Sequence, residues 1–334
     1  MKDSVKKTYI NYSKTIVFAL ILYAFFELLF ATGVFNGYYA RILRQIGIFS
    51  IAAIGLNLIL GFTGQFSLGH AAFMSIGAYV SAILTKNFHA PFLLALLCGA
   101  VVAGILAALI GYPILKLTGD YLAICTLGFG EIVKVVIQNV DYVGGARGIA
   151  GISAKTTFTN VFFLLVVCFA IVKNLIHHSS KGRAILSVKE DEIAAQAMGI
   201  NTTKFKIITF AIGCGMAGLA GGLYAHFNQF IDPQSFNFSK SFEIMTYVVL
   251  GGMGSLSGSI IGTSILIYLP EALRGLNSFM KEYRILIYAV LLIVMMLFRP
   301  KGILGNYEVT LSGIKRFAQR FVARVWKVKQ KEVE

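Results

Sequence analysis

Runs of roughly twenty apolar residues, separated only by short polar or glycine-rich punctuation, recur along nearly the whole chain. A hydrocarbon layer of about 30 Å needs roughly 20 helical residues to cross it. Inside that layer the backbone must satisfy its own hydrogen bonds, which leaves helices as the solution for runs of this length. Spans are expected at 15–35, 41–62, 66–85, 91–115, 121–140, 159–176, 205–227, 242–253, 257–273 and 283–298, about ten in all. The stretch 242–253 is short for a complete crossing and suits a re-entrant segment equally well. Hydrophobic residues make up 57% of the chain and charged ones 13%, half the share of about 25% in soluble domains. The expected fold class is an all-α polytopic membrane protein with some short or broken helices, its membrane-spanning body covering 15–299.

Charge sets the expected topology. The net charge is +15, but Lys and Arg lie between apolar runs and in a tail, not on one basic face, which excludes nucleic acid as the partner. The long polar interruption 177–206 carries Lys181, Arg183, Lys189, Lys204 and Lys206 and is predicted to face the cytoplasm. An even number of spans then puts the basic N-terminal residues 1–14 and the basic tail 300–334 on the same side. Arg41, Arg44, Arg274, Lys281 and Arg284 fall at the opposite ends of spans. Lys2, Lys6, Lys7 and Lys14 ahead of an apolar run resemble a secretory signal, but the run is too long and lacks an A-x-A site. In the tail, Ile314, Phe317, Phe321, Val325 and Val328 recur at helical spacing among Lys and Arg. That pattern reads as an amphipathic helix on anionic lipid, or as a solvated basic tail. Cys98, Cys125, Cys168 and Cys214 are dispersed in apolar segments with no metal-ligand spacing and read as packing residues.

The chain has no phosphate-binding loop, not even a Gly-Lys dipeptide, so it binds no ATP by that means and any ATP and Mg belong to other subunits. A protein of this kind needs a docking element, and 177–206 is the place for one. Within it, Glu190, Asp191 and Glu192 suit a helix N-terminus, three alanines follow, and Gly199 suits a C-cap. Such a short helix outside the bilayer is able to enter a groove on a partner; an ordinary polar connecting helix is the plainer reading. Leu60-Gly61-x-x-Gly64-x-x-Ser67 and Leu250-Gly251-x-x-Gly254-x-x-Ser257 share their spacing, either as an internal repeat or as a glycine-dominated coincidence.

These blocks resemble a known family. Glu192, Ala194, Ala195 and Gly199 match the E-A-A-x-x-x-G coupling segment of ABC importer permeases, with Ile193 intervening. The runs GLNLILGFTGQFSLGHAAF, GDYLAICTLGFGEI, LGGMGSLSG and RPKGILG, in that order, resemble the LivM-type membrane subunit of branched-chain amino-acid importers. The resemblance implies a heterodimer with a second permease subunit, two cytoplasmic ATPases, an external substrate-binding protein and residence in the inner membrane. It implies leucine, isoleucine and valine as cargo; related permeases serve urea and short-chain amides. A charge at Ala195 is then expected to uncouple ATP hydrolysis from uptake.

Asn57, Gln65, Ser67 and His70 cluster around one run, and polar groups at membrane depth either line a pathway or bond between helices. Gly61, Gly64, Gly251 and Gly254 are candidate hinges or gates, or sites of tight helix packing. Asp120 is expected to cap the fifth span, Glu131 and Lys134 to neutralise each other, and Gln229, Asp232 and Glu243 to cap helices or meet the binding protein. An ion-coupled secondary transporter would call for acids within spans, and Glu27 and Glu131 are the clearly placed ones. A coupling segment has no use in such a protein.

Overall fold

The computed structural model describes residues 37–274, six positions between Leu286 and Phe298, residues 302–305, Tyr307 and Glu308. The expected first span 15–35 and the amphipathic tail lie outside the described residues, as does most of 283–298. Helices dominate: α1 Gly37–Thr63, α2 His70–Lys86, α3 Phe92–Ile114, α4 Gly119–Asn139, α5 Phe158–Lys173, α6 Ser180–Glu190, α7 Glu192–Ala197, α8 Thr202–Asn228, α9 Phe238–Gly251 and α10 Leu256–Arg274. The two-residue strands β1, Ile149–Ala150, and β2, Phe230–Ile231, pair antiparallel. Among the described residues, five helical stretches, beginning at Gly37, Phe92, Phe158, Thr202 and Leu256, are long and apolar enough to cross a membrane.

Polar connectors start the later helices by local capping. The side chains of Thr157, Ser179, Asp191, Asn201 and Asn237 each accept a backbone N–H from the first turn of α5, α6, α7, α8 and α9. The fifth span departs from expectation here. α4 begins at Gly119, so Asp120 lies inside its first turn and complements the helix dipole rather than capping.

The bundle has two distinct ends. At one, Lys189 of α6 lies against Gly64, Gln65 Nε2 donates to Lys206 O at 3.3 Å, and Ile303 and Leu304 donate backbone N–H to Leu250 and Gly251. At the other, the β1–β2 pair is tied in by Lys86 Nζ to Ala150 O at 2.8 Å and by His226 Nδ1 against Ser153 O at 2.9 Å. The long helices run between these ends.

α8 is the central post, packed against α1, α2 and α3. Its run of small residues lets backbones nearly touch: a Cβ on Gly221 would stand 1.8 Å from Met74 O, and one on Gly77 of α2 would stand 2.1 Å from Gly218 O. With no hydrophobic drive between helices in lipid, this close approach is what holds the post in place. α3 turns Leu93, Leu97, Val101, Ile105 and Leu109 outward, an aliphatic ridge repeating every fourth residue.

One span is not continuous. The run expected as a helix over 66–85 starts helically only at His70, and residues 64–69 are irregular, with 65–69 largely enclosed. Gly64 reverses the chain at φ +72°. His70 Nε2 meets Ala52 O at 3.0 Å, and Ala52 lies eleven residues, about 16 Å of helix, before the end of α1, so the segment 64–69 runs back into the bundle. α2 therefore begins near mid-depth, and irregular backbone is tolerated there because protein surrounds it. α9 is short as expected; the enclosed turn Pro233–Phe236, capped by Asp232, precedes it.

Candidate coupling and translocation sites

The two glycine motifs occupy equivalent places. Each follows the end of a helix at the same end of the bundle, α1 in one case and α9 in the other, and each precedes a helix running back. Gly64 and Gly254 have φ of +72° and +97°, which a side chain would strain. Gly61 and Gly251 serve close approach instead: added Cβ atoms would lie 2.5 Å from Gly254 N and 2.1 Å from Gly258 O. The two breaks thus touch each other.

Asn57 is the clamp between them. It is fully enclosed; its Oδ1 accepts Gly254 N–H at 2.8 Å, and its Nδ2 donates to Ser255 O at 2.8 Å and Ser259 Oγ at 2.7 Å. Asn57→Ala would leave these enclosed partners unsatisfied at a cost of about 3 kcal/mol. The midpoint of thermal unfolding of the purified complex is expected to fall by roughly 5 °C. An unchanged midpoint would mean the clamp contributes nothing to the fold.

The second break carries a further strap. Glu308 accepts Leu256 N–H at 2.5 Å and Ser257 Oγ–H at 3.0 Å, placing a carboxylate on the positive end of α10, while Ser255 Oγ donates to Tyr307 O at 2.8 Å. Sequence reasoning noticed the RPKGILG block before it but assigned it no structural role.

Gln65, Ser67 and His70 are enclosed by this chain alone, at 3%, 4% and 1% exposure. Gln65 Nε2 reaches Lys206 O and Thr209 Oγ1, both at 3.3 Å. Among the described residues, Gln65 Oε1, Ser67 Oγ and His70 Nδ1 take no protein partner. The neighbouring Leu68 N–H donates to Thr126 Oγ1 of α4 at 2.9 Å, so the irregular segment leans on that helix.

Residues 192–199 form the short helix the sequence called for, with two refinements. Asp191 Oδ1 caps it, accepting Ile193 and Ala194 N–H at 2.9 and 3.0 Å, while Glu190 ends α6. At the far end Gly199, at φ +80°, closes a Schellman motif: Ile200 N donates to Ala195 O at 3.0 Å and Gly199 N to Gln196 O at 2.9 Å. Glu192 forms an ion pair with Lys206 of α8 at 2.5 Å, and Gln196 Nε2 donates to Thr202 Oγ1 at 2.9 Å. Ala195 faces its own chain at 4% exposure, whereas Ile193 and Met198 stand out at 80% and 82%. The outward apolar tips were missed because Ile193 read only as an interruption of a motif. Lys206, which joins α7 through its side chain and the first break through its carbonyl, was read as mere loop charge.

At the β1–β2 end Asp232 and Gln229 cap as expected, but Glu243 lies in the second turn of α9, whose N-cap is Asn237. Asp232 Oδ1 accepts Ser235 N–H at 3.1 Å, Glu243 pairs with Lys240 at 2.6 Å, and Gln229 sits in the left-handed C-cap of α8 at φ +60°. Glu131 and Lys134 are paired on α4.

Residues 38–296 match the family described as the permease component of branched-chain amino acid transport systems. The LivM high-affinity branched-chain amino acid transport permease of Escherichia coli K12 is 35% identical over 291 residues, covering 77% of this chain and 68% of the relative. The LivH permease of the same organism is 29% identical over 288 residues, covering 78% and 92%. A probable LivM permease of Methanocaldococcus jannaschii is 22% identical over 334 residues, covering 83% and 96%. No solved structure matches.

Proposed function

The chain belongs to the family of branched-chain amino acid transport permeases, and from that premise we propose that it moves leucine, isoleucine and valine inward across the inner membrane by alternating access. It works beside a second permease subunit, with two ATPases that use ATP and Mg, and an external binding protein that supplies the cargo. It is a multi-pass membrane permease and not itself an enzyme; the α6–α7 end is cytoplasmic in this reading, together with both termini.

The observation that carries the proposal is the construction of α7. Its tips, Ile193 and Met198, are free to enter an apolar groove, and its base is bolted to the central post by Glu192–Lys206 and Gln196–Thr202. A push from an ATPase on α7 reaches α8 without slack. Lys206 passes it on, because its carbonyl accepts from Gln65 in the first break. Lys189 of α6 lies 3.5 Å from the position of a Cβ on Gly64, so the same motion bears on the reversal point directly. The second break follows through Asn57. Closure of the ATPase pair thereby reshapes both glycine breaks together, and these form the inward gate.

The test is ATP hydrolysis by the reconstituted complex with its binding protein loaded in turn with leucine, isoleucine, valine or urea. Stimulation by the branched amino acids is expected. Stimulation by urea alone would keep the architecture and overturn the cargo.

A further inference from the structure

We propose that Glu131 and Lys134 of α4 form a transient site for the zwitterionic head group of the amino acid, on the wall of the translocation pathway. This rests on the importer reading above and assigns the cargo-contacting helix within it.

The outward faces of α3 and α4 differ in chemistry. α3 exposes an unbroken aliphatic ridge. α4 instead carries Glu131, Lys134, Gln138 and Asn139 in its second half, beside the exposed apolar Ile132, Val135 and Val136. Ile124, Gly128, Glu131 and Val135 fall in one stripe at helical spacing; Ile124 and Val135 are exposed, and no atom lies within 4 Å of a Cβ placed on Gly128. The side chains of Lys134 and Glu131 are 19% and 40% exposed. Glu131 lies about 18 Å along the helix from Gly119, well away from either end. The other two ion pairs among the described residues sit at the ends of their helices, Lys206–Glu192 at one end of the bundle and Lys240–Glu243 early in α9. A partly exposed ion pair in the body of a long helix is costly against hydrocarbon, so this edge of α4 faces water or protein.

A second observation places the pair. The helix start inside the bundle packs on the adjoining residue of α4: a Cβ on Gly130 would be 3.9 Å from Gly69 Cα, and the segment leading to α2 is held by Thr126 one helical turn earlier. Discontinuous helices at mid-depth are where transporters hold cargo. The charges also match the cargo. When empty, the pair neutralises itself. An amino acid exchanges into it, its ammonium taking Glu131 and its carboxylate taking Lys134, so no bare charge is left at any stage. Ile124 and Val135, flanking along the stripe, offer apolar contact to a branched side chain. Urea, uncharged, has no counterpart for either group.

The experiment uses the full complex in proteoliposomes containing ATP, driven by leucine-loaded binding protein. Glu131→Gln with Lys134→Met removes both charges together, a change that a purely structural pair tolerates. Leucine uptake is expected to fall by about tenfold or more at saturating binding protein, with stimulation of ATP hydrolysis retained. Uptake within about twofold of the unaltered complex would overturn the proposal. A second measurement leaves the pair untouched: Ile124→Cys, in a chain whose Cys98, Cys125, Cys168 and Cys214 are alanine, is treated with a charged, water-soluble thiosulfonate. Labelling that slows during leucine turnover is expected; an active complex with no labelling would contradict a pathway-facing edge. If the unaltered complex takes up no leucine, the importer reading itself fails, which is a separate result.

Discussion

Paired substitutions Ile193→Asp and Met198→Asp are expected to cut uptake by about a hundredfold while the chain still inserts and folds. Both side chains are more than three-quarters exposed, so their loss costs this chain little stability. Each apolar side chain buried in a partner contributes about 1.5–3 kcal/mol, and a carboxylate forced into the same groove adds a desolvation penalty. The measurement is co-purification of the ATPase subunits together with leucine uptake; both are expected to fail in parallel. Normal uptake would remove α7 from the coupling mechanism. The charge at Ala195 suggested by the sequence is a poorer probe. Ala195 is packed against its own chain, so a charge there unseats α7 before any partner is involved.

Gly221→Val is expected to leave almost no folded chain. Even the first carbon would stand 1.8 Å from Met74 O and 3.1 Å from Ala78 N, both backbone atoms of α2 that cannot swing aside. The helices must separate, and the neighbouring contact of Gly77 with Gly218 opens with them. A cost above about 4 kcal/mol follows, enough to exhaust the margin of an ordinary domain. Gly128→Val is the matched control, because nothing lies within 4 Å of its new carbon. Size-exclusion profiles of the solubilised proteins compare them: a single sharp species is expected for Gly128→Val, and loss of that species for Gly221→Val. Equal profiles would mean the α2–α8 approach is looser than described.

Much of this was legible in the residues. Apolar length located the long helices described, because lipid leaves the backbone so few alternatives, whereas α6 and α7 lie in the polar interruption 177–206. The Gly61 and Gly251 echo was readable as spacing, and the structure gives it a physical division of labour: one glycine for approach, the next for positive φ. What sequence could not supply was depth and direction. Phe66 to Gly69 is apolar enough to read as helix, yet Gly64 reverses the chain and the bond of Leu68 N–H to Thr126 holds an irregular segment. Asn57 read as a pathway candidate, and its amide is spent on the 252–259 turn nearly two hundred residues away. Which face of a six-residue helix looks outward is likewise a property of tertiary packing, which is why Ala195 and Ile193 exchange the roles their motif suggested.

The importer account is tested most directly by uptake of labelled leucine into proteoliposomes of the complete complex, with ATP supplied on the side of α6 and α7 and loaded binding protein on the other. Uptake that requires both, and that an imposed ion gradient neither replaces nor enhances, is the predicted result. Uptake driven by an ion gradient without ATP would contradict the account and make the chain a secondary transporter.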